Sequence, residues 1–209
     1  MKGAEAEYHP VADVISARRS VRHFAPEMVE RSLVRELVAL ACKAPAPHHS
    51  RPWRFAYVAT AAAKERLAEA MADAWLDDLK AEDAPVLDVS KRVNRSREQI
   101  MGAPVLLVSC LVLDEAKEQS DAGRESAERD MFMQSLGAAL QNLLLAAVER
   151  GLVGYIKGAP LFCAPAVRDA LKLSKGWEPA FLVLLGYPED GYAAGDRAGV
   201  DVAEFMVER

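Results

Sequence analysis

The sequence has 209 residues, of which 51% are apolar and 27% charged, and a formal net charge of -5. These values predict one soluble globular domain over residues 1–209 and exclude a disordered or fibrous chain. The acidic balance argues against nucleic acid or an anionic membrane as partner. Residues 1–10 lack the apolar core of a secretory signal, and the three cysteines form no CxxC pair. We therefore expect a cytoplasmic protein with reduced thiols.

The first half of the chain alternates helical patterns with one strand. The spacing of apolar residues and the helix-start and helix-stop residues predict helices over 11–19, 26–41, 60–80 and 86–101, and a strand over 53–59. Pro26 is placed as a helix start, and Thr60 as the N-cap of the third helix. The Ala-Pro-Ala-Pro run at 44–47 stops the second helix, because the residue before a proline avoids the α region.

The second half contains a near-continuous apolar run over 104–113, which predicts a central strand covered on both faces. A surface loop over 114–124 and a helix over 125–150 follow, with Gly151 suited to the helix C-terminus. Short strands over 152–156 and 180–185 flank a helix that starts near Pro165. The pattern predicts an α+β fold, in which helices wrap a mixed central sheet of about four or five strands.

The C-terminal tail from Pro188 is polar, but it ends with the apolar residues Val202, Phe205, Met206 and Val207. A polar arm with an apolar tip is expected to pack on another surface. A second copy of this chain is the expected surface, which makes the predicted assembly a homodimer.

The segment Arg18-Arg19-Ser20-Val21-Arg22 and the distant Arg197 carry the residue types that bind a phosphate. Forked guanidiniums and a hydroxyl suit phosphate oxygens, and Arg18, Ser20 and Arg197 supply these groups. If the chain leaves the first helix extended, Arg22 reaches further along the same ligand. The alternative is a basic helix end that is stabilised by the helix dipole and needs no ligand.

The loop from Pro45 to Trp53 contains three prolines and the pair His48-His49. A stiff loop loses little entropy when it packs on a flat ring, so a planar cofactor is a credible ligand. The alternative is a rigid loop that only feeds a strand. We expect no metal site, because neighbouring side chains of an extended loop point apart and no carboxylate or cysteine lies at ligand spacing.

Two further segments have weaker functional signals. Four cations, Lys91, Arg92, Arg95 and Arg97, lie on a predicted helix and form either a solvated face or a binding surface for an anionic substrate. The glycine-rich run from Gly151 to Gly158 would let backbone N–H groups approach a ligand, but it is not a dinucleotide fingerprint. The cysteines have no activating pattern near them and are expected to be buried apolar residues.

Residues 44–52, 127–132 and 177–179, together with the Arg-Arg-Ser and Pro-Trp segments, resemble the FMN-dependent nitroreductase family. The resemblance covers essentially the whole chain. Residues 44–52, 127–132 and 177–179 are most similar to the subgroup that forms the C-terminal domain of the protein completing the deazaflavin coenzyme F-420. This subgroup domain usually follows a glutamyl-ligase domain for which the chain has no room, so we expect no ligase activity.

The resemblance implies a nitroreductase-like fold and an intertwined homodimer with an extended C-terminal arm and FMN in two interface sites. The implied cofactor-binding residues are Arg18, Arg19, Ser20, Arg22, Pro45, Ala46, Pro47, His49, Lys157, Gly158 and Arg197. By resemblance, the phosphate and ribityl chain are bound by Arg18, Arg19, Ser20 and Arg197. Arg22 lies near the flavin N1–O2 edge. The proline loop comes from the partner chain, and the turn at 157–158 faces the N5–O4 edge. The ring carries the hydride, so no catalytic side chain is expected.

The predicted function is hydride transfer between FMN and a conjugated, anionic substrate such as a dehydro precursor of the deazaflavin coenzyme. The predicted substrate-binding residues are His48, Arg51, Lys91, Arg92, Arg95 and Arg97. The chain departs from the broad family at Ala46, His49 and Lys157, where serine, asparagine and glutamate are common. Two alternatives stay open: a general NAD(P)H-dependent nitro or quinone reductase, and a protein that stores flavin or deazaflavin without turnover.

Overall fold

The structure is a computed structural model that describes residues 11–81, 86–117 and 119–209. Its described helices are α1 Val11–Ala17, α2 Arg31–Ala41, α3 Ala61–Ala81, α4 Val86–Gly102, α5 Ala122–Glu149 and α6 Ala164–Leu171. Its described strands are β1 Trp53–Tyr57, β2 Val105–Leu111, β3 Val153–Lys157 and β4 Glu178–Gly186. Single 3-10 turns lie at Pro47–His49, Ala159–Phe162 and Val202–Glu204.

The four strands form one sheet in the order β1-β2-β4-β3. Neighbouring strands are all antiparallel, so the predicted mixed sheet is wrong for these strands. The apolar pattern could not reveal this, because strand direction depends on how the intervening helices return the chain to the sheet. A parallel contact does occur outside the named strands, as a single bridge between Ser20 and Gly154.

Every residue of β2 is buried, which confirms the prediction of a central strand covered on both faces. Successive side chains of a strand point to opposite faces, and β2 follows this rule. Leu107 and Leu111 belong to the core under α2 and α5. Leu106 and Val108 belong to the second core, on the side of α3, α4 and α6. The sheet is therefore the middle layer of a three-layer α+β fold.

Helix α5 is the long apolar helix of the first core. By length and composition it could cross a membrane, with a mean hydropathy of 1.4 over its most apolar window. Half of that window is buried inside the fold, and Phe132, Leu136 and Leu140 pack in the core under the sheet. Its apolar character is thus used in packing on the sheet, as in the core helix of a soluble protein.

Two helix boundaries near the N-terminus differ from the predictions. Helix α1 ends at Ala17 rather than at residue 19, and α2 begins at Arg31 rather than at Pro26. The intervening chain is held on the sheet instead, because Val21 N donates to Gly154 O (3.2 Å) and Ala25 N donates to Tyr187 O (3.0 Å). Long-range backbone hydrogen bonds override the local helical pattern here.

Helix α5 begins at Ala122, three residues earlier than predicted. The Asp121 side chain caps it by accepting a hydrogen bond from Arg124 N at 3.0 Å. At its other end Gly151 has φ +75, a left-handed conformation that suits glycine at a helix C-terminus. The predicted N-cap of α3 is confirmed, since Thr60 Oγ1 accepts from Ala63 N at 3.2 Å.

Candidate active site

The structure brings arginines from both ends of the chain together. Arg197 Nη2 donates to the Arg18 carbonyl oxygen at 2.5 Å, and Arg19 Nε donates to the Gly195 carbonyl oxygen at 2.8 Å. The pKa of Arg18 is lowered, first by burial and then by repulsion from Arg197 and Arg19. These three residues form the arginine cluster. Their mutual repulsion favours binding of an anion.

The segment that follows Arg19 lies against the edge strand β3, where Val21 N donates to Gly154 O. Ser20 forms its bridge with Gly154, where the sheet is tightly packed: a Cβ on Gly154 would lie 2.3 Å from the Leu184 carbonyl oxygen. A groove of about 510 Å³ lies beside the segment. It is lined by Arg19, Ser20, Val21, His23, Glu189, Asp190, Gly191, Tyr192 and Gly195.

A second group of cations lies at the end of β3. The Arg22 guanidinium carbon is 5.1 Å from the centroid of the Tyr155 ring, within cation–π range. Tyr155 Oη donates to Gln99 Oε1 at 2.7 Å. Lys157 Nζ donates to Ser96 Oγ at 2.6 Å and to Gln99 Oε1 at 3.3 Å. Helix α4 therefore holds the Lys157 ammonium from one side.

Burial and nearby charges shift the pKa values of Lys157 and Tyr155. The pKa of Lys157 is lowered to about 8, first by burial and then by repulsion from Arg22 and Arg95. Burial raises the pKa of Tyr155 to about 12, against a smaller lowering by the same two arginines. Sequence reasoning missed Ser96, Gln99 and Tyr155. The available signal was the i, i+3 spacing of Ser96 and Gln99, which places them on one face of the predicted helix.

An apolar cavity of about 350 Å³ adjoins Lys157. Its walls come from α3, α4 and the turn after β3. The lining residues are Ala68, Met71, Ala72, Trp75, Val93, Ser96, Lys157, Ala159, Phe162 and Cys163. A mostly apolar cavity with a few polar groups is typical of a small-molecule site.

The loop at 45–50 has an unusual backbone. His48 and His49 both have φ +56, although neither is glycine. The turn is closed by Ser50, whose Oγ donates to the Pro47 carbonyl oxygen at 2.6 Å. Non-glycine residues in this conformation are often found at functional sites. A groove of about 340 Å³ lies between Pro45–Pro47 and the α5 residues Met131, Gln134, Ser135 and Ala138.

His48 contacts a buried carboxylate. Its Nε2 lies 3.7 Å from Glu128 Oε1, and Glu128 is only 6% exposed. Lys117 N and Gln119 Nε2 also donate to Glu128, at 3.2 and 3.3 Å. The next residue of α5, Arg129, donates to Glu178 Oε2 at 2.5 Å. Residues 127–132 therefore contact both residues 44–52 and residues 177–179. Across residues 11–81, 86–117 and 119–209, no group of three or more His, Cys, Asp or Glu is placed to hold a metal.

The predicted substrate-binding cations are in different environments. Arg95 is close enough to Lys157 to lower its pKa, whereas Arg97 pairs with Glu65 of α3. Lys91, Arg92 and Arg51 are exposed. Gly158 follows β3 and accepts a hydrogen bond from Leu161 N at 3.1 Å. In the described part of one chain, the turn Pro47–His49 of this loop packs on α5.

Residues 15–187 match the nitroreductase family. The chain belongs to this family. Membership confirms the predicted oxidoreductase, with FMN as its cofactor. The chain is 25% identical over 207 residues to the iodotyrosine deiodinase of Danio rerio and 24% identical over 199 residues to that of Drosophila melanogaster. These matches cover 93% of this chain but only 65% and 68% of the relatives' lengths.

Solved structures confirm the predicted fold. A nitroreductase-like family protein from Bacillus cereus has a TM-score of 0.76 and 25% identity, covering 99% of both chains. A BluB-like flavoprotein from Clostridium difficile 630 has a TM-score of 0.77 and 22% identity, covering 97% of this chain and 100% of that one. The FMN-dependent nitroreductase of Mycobacterium smegmatis, solved with NADPH, has a TM-score of 0.71 and 21% identity, covering 95% and 98%.

Proposed function

We propose that this protein is a homodimeric FMN-dependent oxidoreductase that passes hydride to a conjugated, anionic substrate. The observation that carries the proposal is the arginine cluster, Arg18, Arg19 and Arg197, which joins the two ends of the chain. The lowered pKa of Arg18 comes partly from its neighbouring guanidiniums, so a phosphate would relieve repulsion as well as accept hydrogen bonds. These residues therefore fit the phosphate end of FMN.

The second cation group fits the ring end of the cofactor. FMN, when bound, supplies the two-electron hydride exchange, and reduction adds negative charge to the ring. Arg22, Arg95 and Lys157 would favour the more negative form, because fixed cations stabilise developing negative charge. Their positions along the segment that follows Arg19 and at the end of β3 are in keeping with an elongated ligand that starts at the arginine cluster.

The homodimer is supported by the C-terminal arm. Beyond residue 188 the arm contributes Arg197 and Gly195 to the arginine cluster, and then presents exposed apolar residues. Val200, Phe205 and Val207 are 71%, 76% and 73% exposed. A partner chain would bury these residues. It would also bring a second Pro45–Pro47 loop to the flavin site, as the predicted dimer requires.

For the substrate, a dehydro precursor of the deazaflavin coenzyme is our first candidate. Its support is the contact between the three segments of subgroup resemblance, through His48–Glu128 and Arg129–Glu178. General NAD(P)H-dependent reduction of nitro compounds or quinones is the second candidate. The small apolar cavity beside Lys157 favours it, since a volume of about 350 Å³ suits a compact ring better than a long polyanion.

The test begins with the visible spectrum of the purified protein after FMN is added and the excess removed. Anaerobic reduction of the bound flavin by NADPH, NADH or reduced deazaflavin is then followed by stopped flow, and reoxidation by a quinone, a nitroarene or the dehydro precursor. Reoxidation by the precursor in preference to the other acceptors supports the first candidate. Fast turnover of NADPH with quinones supports the second. Flavin that binds but exchanges electrons with none of these identifies a storage protein, and a protein that binds no FMN contradicts the proposal.

A further inference from the structure

The cavity beside Lys157 has apolar walls on several sides. Trp75 and Met71 of α3, Val93 of α4 and Phe162 of the turn after β3 line it. Its volume of about 350 Å³ lies at the lower end of the range for small-molecule sites, roughly 300–1,000 Å³. Phe162 is 83% exposed although it is aromatic, so the wall it forms is available to a ligand.

Among the lining residues that the structure describes, Lys157 is the cation in a mostly apolar space. An ammonium has three N–H donors, and Ser96 Oγ and Gln99 Oε1 accept two of them. The third donor is left for a ligand oxygen. Since Ser96 also lines the cavity, the polar end of the site is formed by the Lys157–Ser96 pair.

The described groups around Lys157 do not neutralise its positive charge. Arg22, from the segment that follows Arg19, and Arg95, from α4, both repel it, and Tyr155 on its own strand is held neutral by a raised pKa. Cys163, after the turn at Ala159–Phe162, supplies a thiol to the same wall. Among the described side chains, which leave out residues 77–89, the ion pairs of the fold do not include Arg22, Arg95 or Lys157. One anionic group would therefore be stabilised here.

We propose that this cavity binds a small aromatic molecule with one anionic oxygen group, its ring between α3 and α4 and its anion on Lys157. The inference rests on the proposed function only in that such a molecule would be the hydride acceptor. A neutral aromatic molecule would lack the charge-assisted contact with the Lys157 ammonium.

Binding is measured by calorimetry on the FMN-loaded protein without reductant. The probes are 4-nitrobenzoate and 4-nitrobenzamide, which have nearly the same shape but differ in charge. We expect the anion to bind about tenfold or more tighter, as one charge-assisted contact allows. Lys157→Met is expected to remove this preference, which is compared with the wild type at equal FMN occupancy, measured by flavin absorbance. The exposed Lys175→Met, which also removes one cation, is the matched control and should keep it.

A second variant tests the position of the ring. Ala72→Phe places a large side chain in the cavity wall and should weaken both probes about tenfold or more. If both probes bind Ala72→Phe as they bind the wild type, or if Lys157→Met keeps the preference for the anion, the proposal is wrong. Thermal unfolding of each variant shows whether it is folded.

The wild-type protein provides a test that needs no Lys157 variant. With a Lys157 pKa of about 8, the anion preference should be constant below that pH and fall as the pH rises through it. The fall should persist in Cys163→Ala, which removes the thiol from the same wall. A flat preference between about pH 6 and 10 would overturn the assignment. Normal binding without turnover would count against the proposed function and leave the cavity site intact.

Discussion

Removing one guanidinium from the arginine cluster should have opposite effects on apoprotein stability and on FMN affinity. Arg18→Gln removes one of three mutually repelling guanidiniums, and the pKa of Arg18 shows that this repulsion is present without a ligand. We therefore expect the apoprotein to keep or gain resistance to unfolding. FMN binding should weaken, because a charge-assisted hydrogen bond contributes about 1.5–3 kcal/mol. This range corresponds to an affinity loss of about 10- to 150-fold.

Riboflavin is the control ligand, since it lacks only the phosphate. Titration by flavin fluorescence at fixed ionic strength should show the loss for FMN and little change for riboflavin. Arg35→Gln, on the exposed face of α2, controls for loss of one positive charge. An equal loss for FMN and riboflavin, or an FMN affinity within about threefold of the wild type, would refute the phosphate assignment. A clear loss of apoprotein stability would contradict the other half of the prediction, because burial and repulsion both disfavour the charged Arg18 side chain in the unliganded protein.

Three further predictions concern packing and assembly. Gly154→Ala places a Cβ 2.3 Å from the Leu184 carbonyl oxygen and should lower the free energy of unfolding, measured in urea, by about 1–3 kcal/mol. Gly137→Ala in α5 is the control and should not lower it, because the space around its Cβ is open. Glu128→Ala leaves Lys117 N without its acceptor and should lower the free energy of unfolding by about 1–3 kcal/mol. It should also speed proteolysis of the 45–50 loop, because His48 loses its contact with Glu128. An unchanged rate of proteolysis would contradict the role of Glu128 in holding this loop. Deleting residues 200–209 removes the exposed apolar tip and should give a monomer in sedimentation analysis; a dimer of unchanged stability would show that the arm is not at the interface.

Local chemistry made much of the fold predictable. The apolar run at 104–113 indicated a buried central strand, because a strand covered on both faces has apolar side chains at successive positions. Thr60 and Gly151 marked helix ends, since each supplies a group or a conformation that a helix terminus requires. The family resemblance rested on short segments that can likewise be recognised locally, and the match over residues 15–187 supports it.

The sequence by itself determined which residue types were available to bind an anion, but only the tertiary structure decided which of them meet. Arg95 and Arg97 are two residues apart on α4, yet Arg97 pairs with Glu65 whereas Arg95 acts on Lys157. Helical periodicity separates such neighbours onto different faces, but the partners on those faces come from distant parts of the chain. The antiparallel sheet and the path of the chain after α1 likewise depend on backbone hydrogen bonds between distant segments, because local propensity carries no information about those partners.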